Sequence, residues 1–132
     1  MKLADILGLH SLKPASRGKA LRLAKKAPLF RSMGYAALSS LLDESTQTIY
    51  DSDAIIIRQG ERDDTVYMVL SGRVRVMYSD SQRDVSVAEL GPGDVFGELA
   101  VLQTQPRSAN VVAVERTNCL RVPGAVFMAA LK

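Results

Sequence analysis

From Ser45 to Val122 the chain is a run of short segments rich in Val, Ile, Thr and Tyr, broken at close intervals by residues that turn a backbone. Thr48–Tyr50, Ala54–Arg58, Thr65–Leu70, Arg73–Tyr78, Val85–Leu90 and Asn110–Val114 have the β-branched and aromatic content of strands. Between them stand Asp51-Ser52-Asp53, Gly60, Ser71-Gly72, Asp80-Ser81 and Gly91-Pro92-Gly93. Each supplies a positive φ or a local side-chain hydrogen bond of the kind a tight turn needs. In Arg73–Tyr78 the alternation is strict, with Val74, Val76 and Tyr78 on one face and Arg73, Arg75 and Met77 on the other. One face of that strand is therefore expected to be buried and the other wet. About eight short strands at this spacing predict a mainly β fold, an eight-stranded jelly-roll barrel of the double-stranded β-helix type.

Helices flank the strands. Residues 1–44 read as helical: Ser16 is placed to cap a helix in which Ala20, Leu23, Ala24 and Ala27 recur at helical spacing, with Pro28 as its stop. Leu29, Phe30 and Met33 form an apolar knot, and Ala37, Leu38, Leu41 and Leu42 mark the buried side of a second short helix. Pro123 is expected to open a last short helix, Ala125–Leu131. A chain of 132 residues with 47% hydrophobic and 23% charged residues is the size and composition of one globular domain. No apolar run approaches the roughly 18 residues of a membrane span. Leu3–Leu9 is short and contains Asp5, so it does not read as a secretory signal. A single cysteine, Cys119, rules out an internal disulfide framework and fits a reducing compartment, so a cytoplasmic location is expected.

Charge divides the chain in two. Residues 1–27 hold seven basic residues, Lys2, Lys13, Arg17, Lys19, Arg22, Lys25 and Lys26, against one acid, Asp5, for a net +6. Residues 28–132 hold ten basic and thirteen acidic residues, for a net −3. This marks a basic N-terminal helical segment, 1–27, attached to a β-rich body, 28–132. Lys19, Arg22, Lys25 and Lys26 can attract nucleic acid, an acidic membrane or an acidic protein. A solvated helix face carries the same charges, and that is the favoured reading.

Chemistry is limited by the inventory of side chains. Metal-bearing jelly rolls need two or three His and a carboxylate inside the barrel, but His10 is the only histidine and lies before the strand region. A His-assisted Ser or Cys nucleophile fails for the same reason. Cys119 sits in the strand pattern Asn118-Cys119-Leu120-Arg121-Val122 and is expected to be a buried structural thiol. No catalytic or metal site, and no cofactor, is predicted.

One stretch breaks the strand rhythm: Gly93-Asp94-Val95-Phe96-Gly97-Glu98-Leu99-Ala100-Val101-Leu102, then Gln103-Thr104-Gln105, then Pro106-Arg107-Ser108-Ala109. Its glycines permit sharp turns and close approach to a ligand. Glu98–Leu102 is long enough for about one helical turn, and a helix start offers unpaired N–H groups to an anion. Arg107 can fold back over the same spot with its planar fork. A carboxylate beside an anion site makes sense if the ligand also carries hydroxyls, as a nucleotide with its phosphate tied to the ribose does. The alternative is that Glu98 and Arg107 pair with each other.

Phe96-Gly97-Glu98-Leu99-Ala100 with Pro106-Arg107-Ser108-Ala109 resembles the phosphate-binding cassette of the cyclic-nucleotide-binding domains found in catabolite activator protein, cyclic-AMP-dependent kinase regulatory subunits and cyclic-nucleotide-gated channels. Gly60 in Arg58-Gln59-Gly60-Glu61, Leu70-Ser71-Gly72, Leu90-Gly91-Pro92-Gly93-Asp94, Pro28-Leu29-Phe30 and the Pro123–Leu131 segment match further features of that family in order. The resemblance covers about residues 28–132. It implies that Glu98 binds the ribose 2′-hydroxyl and Arg107 the cyclic phosphate. Backbone groups of Gly97, Glu98, Leu99 and Ala100, with Ser108 and Ala109, would complete the cradle. Val76 and Val87 match positions that line the family's pocket, although ordinary core is an equal reading for both. The Arg-Ser-Ala ending favours cyclic AMP, with cyclic GMP as the alternative ligand. In the family a long helix follows helix B and caps the base, whereas this sequence stops at Lys132. The resemblance therefore implies a non-enzymatic sensor without a full lid, acting through a protein partner or a fused effector domain. Asp51-Ser52-Asp53 also stands where the family has Pro-Gly. The rival is an interaction module of the same fold that ignores nucleotides and uses its basic arm.

Overall fold

A computed structural model describes residues 10–132. Lys2, Asp5 and the Leu3–Leu9 stretch lie outside the described residues. The fold is mainly β, with two antiparallel sheets and five flanking helices among the described residues. The first sheet has five strands in the order β1 (His10–Ser11), β2 (Thr46–Tyr50), β9 (Thr117–Pro123), β4 (Thr65–Ser71) and β7 (Val95–Phe96). The second has the order β3 (Ile55–Ile57), β8 (Asn110–Ala113), β5 (Val74–Ser79) and β6 (Asp84–Leu90). The expected barrel is not closed. The two sheets face each other, and the strands at three of their edges, β1, β7 and β3, are two or three residues long, too short to carry the ladder round a corner.

The five-stranded sheet is covered on both sides, which is why β4 reads as an unbroken apolar run. Val66, Met68 and Leu70 of β4, with Leu120 and Val122 of β9, face the helices. They pack with Ala20 and Ala24 of α1 (Pro14–Ala24), Phe30 of α2 (Pro28–Arg31), Leu38, Leu41 and Leu42 of α3 (Tyr35–Asp43) and Phe127 of the C-terminal helix. Phe30 and Phe127 meet edge to face with centroids 5.9 Å apart. Tyr67 and Val69 of β4 and Cys119 of β9 point the other way, into the space between the sheets, against Ile57, Val74, Phe96 and Val111.

Several expectations about the flanks change. The segment before Ser45 is not wholly helical, because His10–Ser11 forms β1, antiparallel to Thr46 and Gln47. His10 is thus part of the sheet. Ser16 does not cap α1: Pro14 takes the first helical position, where its missing N–H costs nothing, and Lys13 is the N-cap without a side-chain bond. The helix closes at Ala24, before Pro28. No helix is long and apolar enough to cross a membrane among the described residues. The strict alternation in β5 also fails at its far end. Val76 pairs with Ala88 and Met77 with Ser86, so Val87 is left over as a β-bulge in β6. Beyond the bulge Tyr78 is exposed.

Candidate functional site

β7 ends at Phe96, and the chain turns at Gly97 with φ 84° into α4 (Glu98–Leu102). Only glycine fits at that turn. A Cβ there would stand 2.8 Å from Arg107 Nη1 and 3.1 Å from the Thr65 carbonyl oxygen, in a backbone conformation that side chains resist. The loop after α4 passes Thr104, itself at φ 52°, and returns through Pro106 and Arg107 to β8. The excursion therefore doubles back on itself, and the helix start and Arg107 come together at one end of the intersheet space.

A cavity of about 390 Å³ lies there. Gly97, Glu98, Leu99, Ala100, Arg107, Ser108 and Ala109 all line it, as does Val76 from β5. Val87 does not. The bulge leaves it 59% exposed on an edge strand. Phe96 lines the cavity and stacks on Tyr67, with rings 5.0 Å apart and planes within 3°. Ile57, Leu90 and Val111 complete an apolar wall facing the polar end.

Arg107 is only 4% exposed. Its Nη1 donates to the Gly97 carbonyl and its Nη2 to the Thr65 carbonyl, both at 2.6 Å, and Nη2 lies 3.5 Å from Asp63 Oδ2. The anticipated alternative of a Glu98–Arg107 pair is not what forms, because the ion pair of Arg107 is with Asp63. These contacts fix the plane of the fork and leave Nε buried without a protein partner. Glu98 Oε2 is likewise buried and unpartnered. A buried polar atom without a partner costs about 1–3 kcal/mol, more when charged. Arg107 and Glu98 thus both line one cavity beside an apolar wall, and each keeps a buried polar atom without a partner. Such a site suits a molecule with an anionic group, a hydroxyl and a flat apolar body.

Cys119 lies in the sheet interior and does not line the cavity, and burial pushes its thiol from 9.0 up to about 12, with the Arg121 charge opposing.

The family model of the cyclic nucleotide-binding domain matches residues 47–132. The chain belongs to that family. Over 99 residues the domain is 35% identical to a cyclic nucleotide-gated potassium channel of Rhizobium etli, a match that covers 75% of this chain and 26% of the channel. Over 109 residues it is 31% identical to the cyclic AMP receptor protein of Thermus thermophilus, covering 82% of this chain and 50% of the receptor. The regulatory domain of Toxoplasma gondii PKA, crystallised with cAMP, superposes with a TM-score of 0.87 at 25% identity, covering 90% of this chain and 46% of that one. The chain spans half or less of the length of these relatives.

Some parts of this cyclic nucleotide-binding domain's site are invisible in its sequence. Asp63 and the Thr65 carbonyl hold Arg107 across a long stretch of chain, and no local motif announces them. Ile57, Leu90 and Val111 look like any other apolar strand residues. Gln103 and Gln105, at the rim, lie beside the cassette motif but carry no signal of their own.

Proposed function

We propose that this domain binds a cyclic nucleotide, cyclic AMP ahead of cyclic GMP, and that binding switches a partner or a fused output domain without catalysis. The observation that carries this reading is that Arg107 and Glu98, each with a buried unpartnered polar atom, line one cavity of a cyclic nucleotide-binding domain. The cyclic phosphate accepts from Arg107 and from main-chain N–H groups at the start of α4, with Ser108 and Ala109 alongside. The ribose 2′-hydroxyl donates to Glu98. The purine lies against Val76, Leu90 and Val111. Cyclic AMP here is a ligand, not a cofactor.

The switching step follows from where the site sits. α4 lines the cavity with Glu98, Leu99 and Ala100, contacts β4, and packs Val101 against the helical core. A ligand that holds α4 differently in two arrangements of the helices shifts the population between them. The body that does this is residues 28–132, with 1–27 as a basic appendage. A cytoplasmic location goes with this reading, since a reduced Cys119 is at home there. Calorimetry with cyclic AMP, cyclic GMP and linear AMP tests it. Saturable binding of the cyclic forms and much weaker binding of linear AMP are expected, and no heat with either cyclic nucleotide overturns it.

A further inference from the structure

Arg107 has a second set of constraints, on its main chain. Its N–H donates to the Glu61 carbonyl and its carbonyl accepts from Gly60 N–H, both at 2.8 Å. Both backbone groups of the residue that bears the fork are thus held by one short loop, Gln59-Gly60-Glu61. That loop is itself anchored by a side chain. The Gln59 amide docks on β5 in the manner of a strand partner: Nε2 donates to the Ser79 carbonyl at 2.9 Å, and Oε1 accepts from Ser79 N–H at 2.8 Å. Asn110, three residues after Arg107, closes the arrangement. Its Oδ1 accepts from Gln59 N–H at 2.8 Å, and its Nδ2 reaches Ser79 Oγ at 3.3 Å.

We infer that Gln59 is a positioning residue for Arg107, setting the depth of its guanidinium in the cavity by clasping the Gly60–Glu61 loop to the end of β5. This rests on the reading of the cavity as a cyclic-nucleotide site and adds a residue to it. The geometry explains why an amide is used. A β-strand end offers one N–H and one C=O at fixed spacing, and only a side chain with an adjacent donor and acceptor satisfies both. A methionine keeps the stem and volume but loses both bonds. A glutamate loses the donor and sets a charge against the Ser79 carbonyl.

The test is a binding cycle in the intact protein with cyclic AMP as the probe. Gln59→Met is expected to weaken binding about tenfold, the loss that follows when the unclasped loop keeps Arg107 at its binding depth about a tenth of the time. In an Arg107→Ala background the same change should have no further effect on affinity, because Gln59 acts through Arg107. The ratio of affinities for cyclic AMP and its 2′-deoxy analogue should stay at the parental value in Gln59→Met, since Glu98 is not held by the clasp. Amide hydrogen exchange without ligand supplies an independent readout: Arg107 and Gly60 should exchange faster in Gln59→Met and in Asn110→Ala, while β4 amides keep their protection. Parental affinity in Gln59→Met, or an equal loss in the presence and absence of Arg107, overturns the assignment. So does unchanged exchange at Arg107. A parent protein that binds no cyclic nucleotide instead overturns the underlying functional reading.

Discussion

Replacing Arg107 with alanine separates a binding role from a merely structural one, because the structure predicts the size of both effects. The side chain is almost fully buried and spends two donors on the Gly97 and Thr65 carbonyls at 2.6 Å. Removing it orphans those carbonyls and the Asp63 carboxylate, but it also opens the cavity, so water can reach them. The stability loss is then about 1–2 kcal/mol, below the cost of sealed unsatisfied groups. Binding suffers more. The unmatched Nε and a neighbouring guanidinium N–H are the groups left for a phosphate, and each charge-assisted bond is worth about 1.5–3 kcal/mol. Loss of two bonds weakens cyclic AMP binding by at least about a hundredfold. Arg107→Lys restores the charge without the fork and should recover only part of that. Calorimetry for affinity, paired with thermal melts of the free proteins, reads both effects. If Arg107→Ala melts lower yet binds cyclic AMP like the parent, the residue is a strut between Gly97 and Thr65, and the assignment of the phosphate to it is wrong.

The carboxylate has a different signature. A 2′-deoxy cyclic nucleotide should bind the parent poorly, because Glu98 would be desolvated with no donor to meet it, and Glu98→Gln should narrow the gap between ribo and deoxy ligands; equal parental affinities would remove the role. For Cys119, burial holds the folded thiol neutral where an unfolded one ionises, so its contribution to stability falls as pH rises from about 9 toward 12. At pH 8 alkylation should proceed only as fast as the protein opens, and rapid native-state labelling would contradict that environment. On the basic arm, Lys19, Arg22, Lys25 and Lys26 changed together to Gln should leave cyclic AMP affinity within error of the parent while abolishing any salt-sensitive association with DNA or acidic vesicles. Salt-resistant, sequence-specific DNA binding by the chain would speak for an output of its own.

Much of this architecture is legible in the amino-acid sequence, for identifiable reasons. Turn residues such as Gly72 and Gly93 sit at positive φ, so their spacing marks strand ends directly. A two-sided apolar strand such as β4 stands out because both its faces are covered. The cassette residues are legible because the turn at Gly97 and the return at Arg107 are short-range. What stays hidden is set by partners far along the chain. β1 is two residues long and exists only through its pairing with β2. Val87 belongs to an apparently regular alternation that a bulge in β6 breaks, which turns it to solvent instead of the cavity. Ser16 is a good cap by type, but Pro14 starts the helix earlier. The hold of Asp63 on Arg107, and of Gln59 on Ser79, depends on loops meeting across the fold.

In the proposed complex Arg107 and Glu98 meet one cyclic nucleotide in this cavity. Following the Arg107 Nε–H signal by NMR during a titration with cyclic AMP probes that meeting at the atom concerned, because Nε is the donor left unpaired in the free protein. One saturable downfield shift of Nε–H is expected, accompanied by movement of the Gly97–Ala100 and Ser108 amides, with none of these changes under linear AMP at the same concentration. Saturation of the protein by cyclic AMP with the Arg107 Nε–H and Gly97 signals unmoved would contradict it.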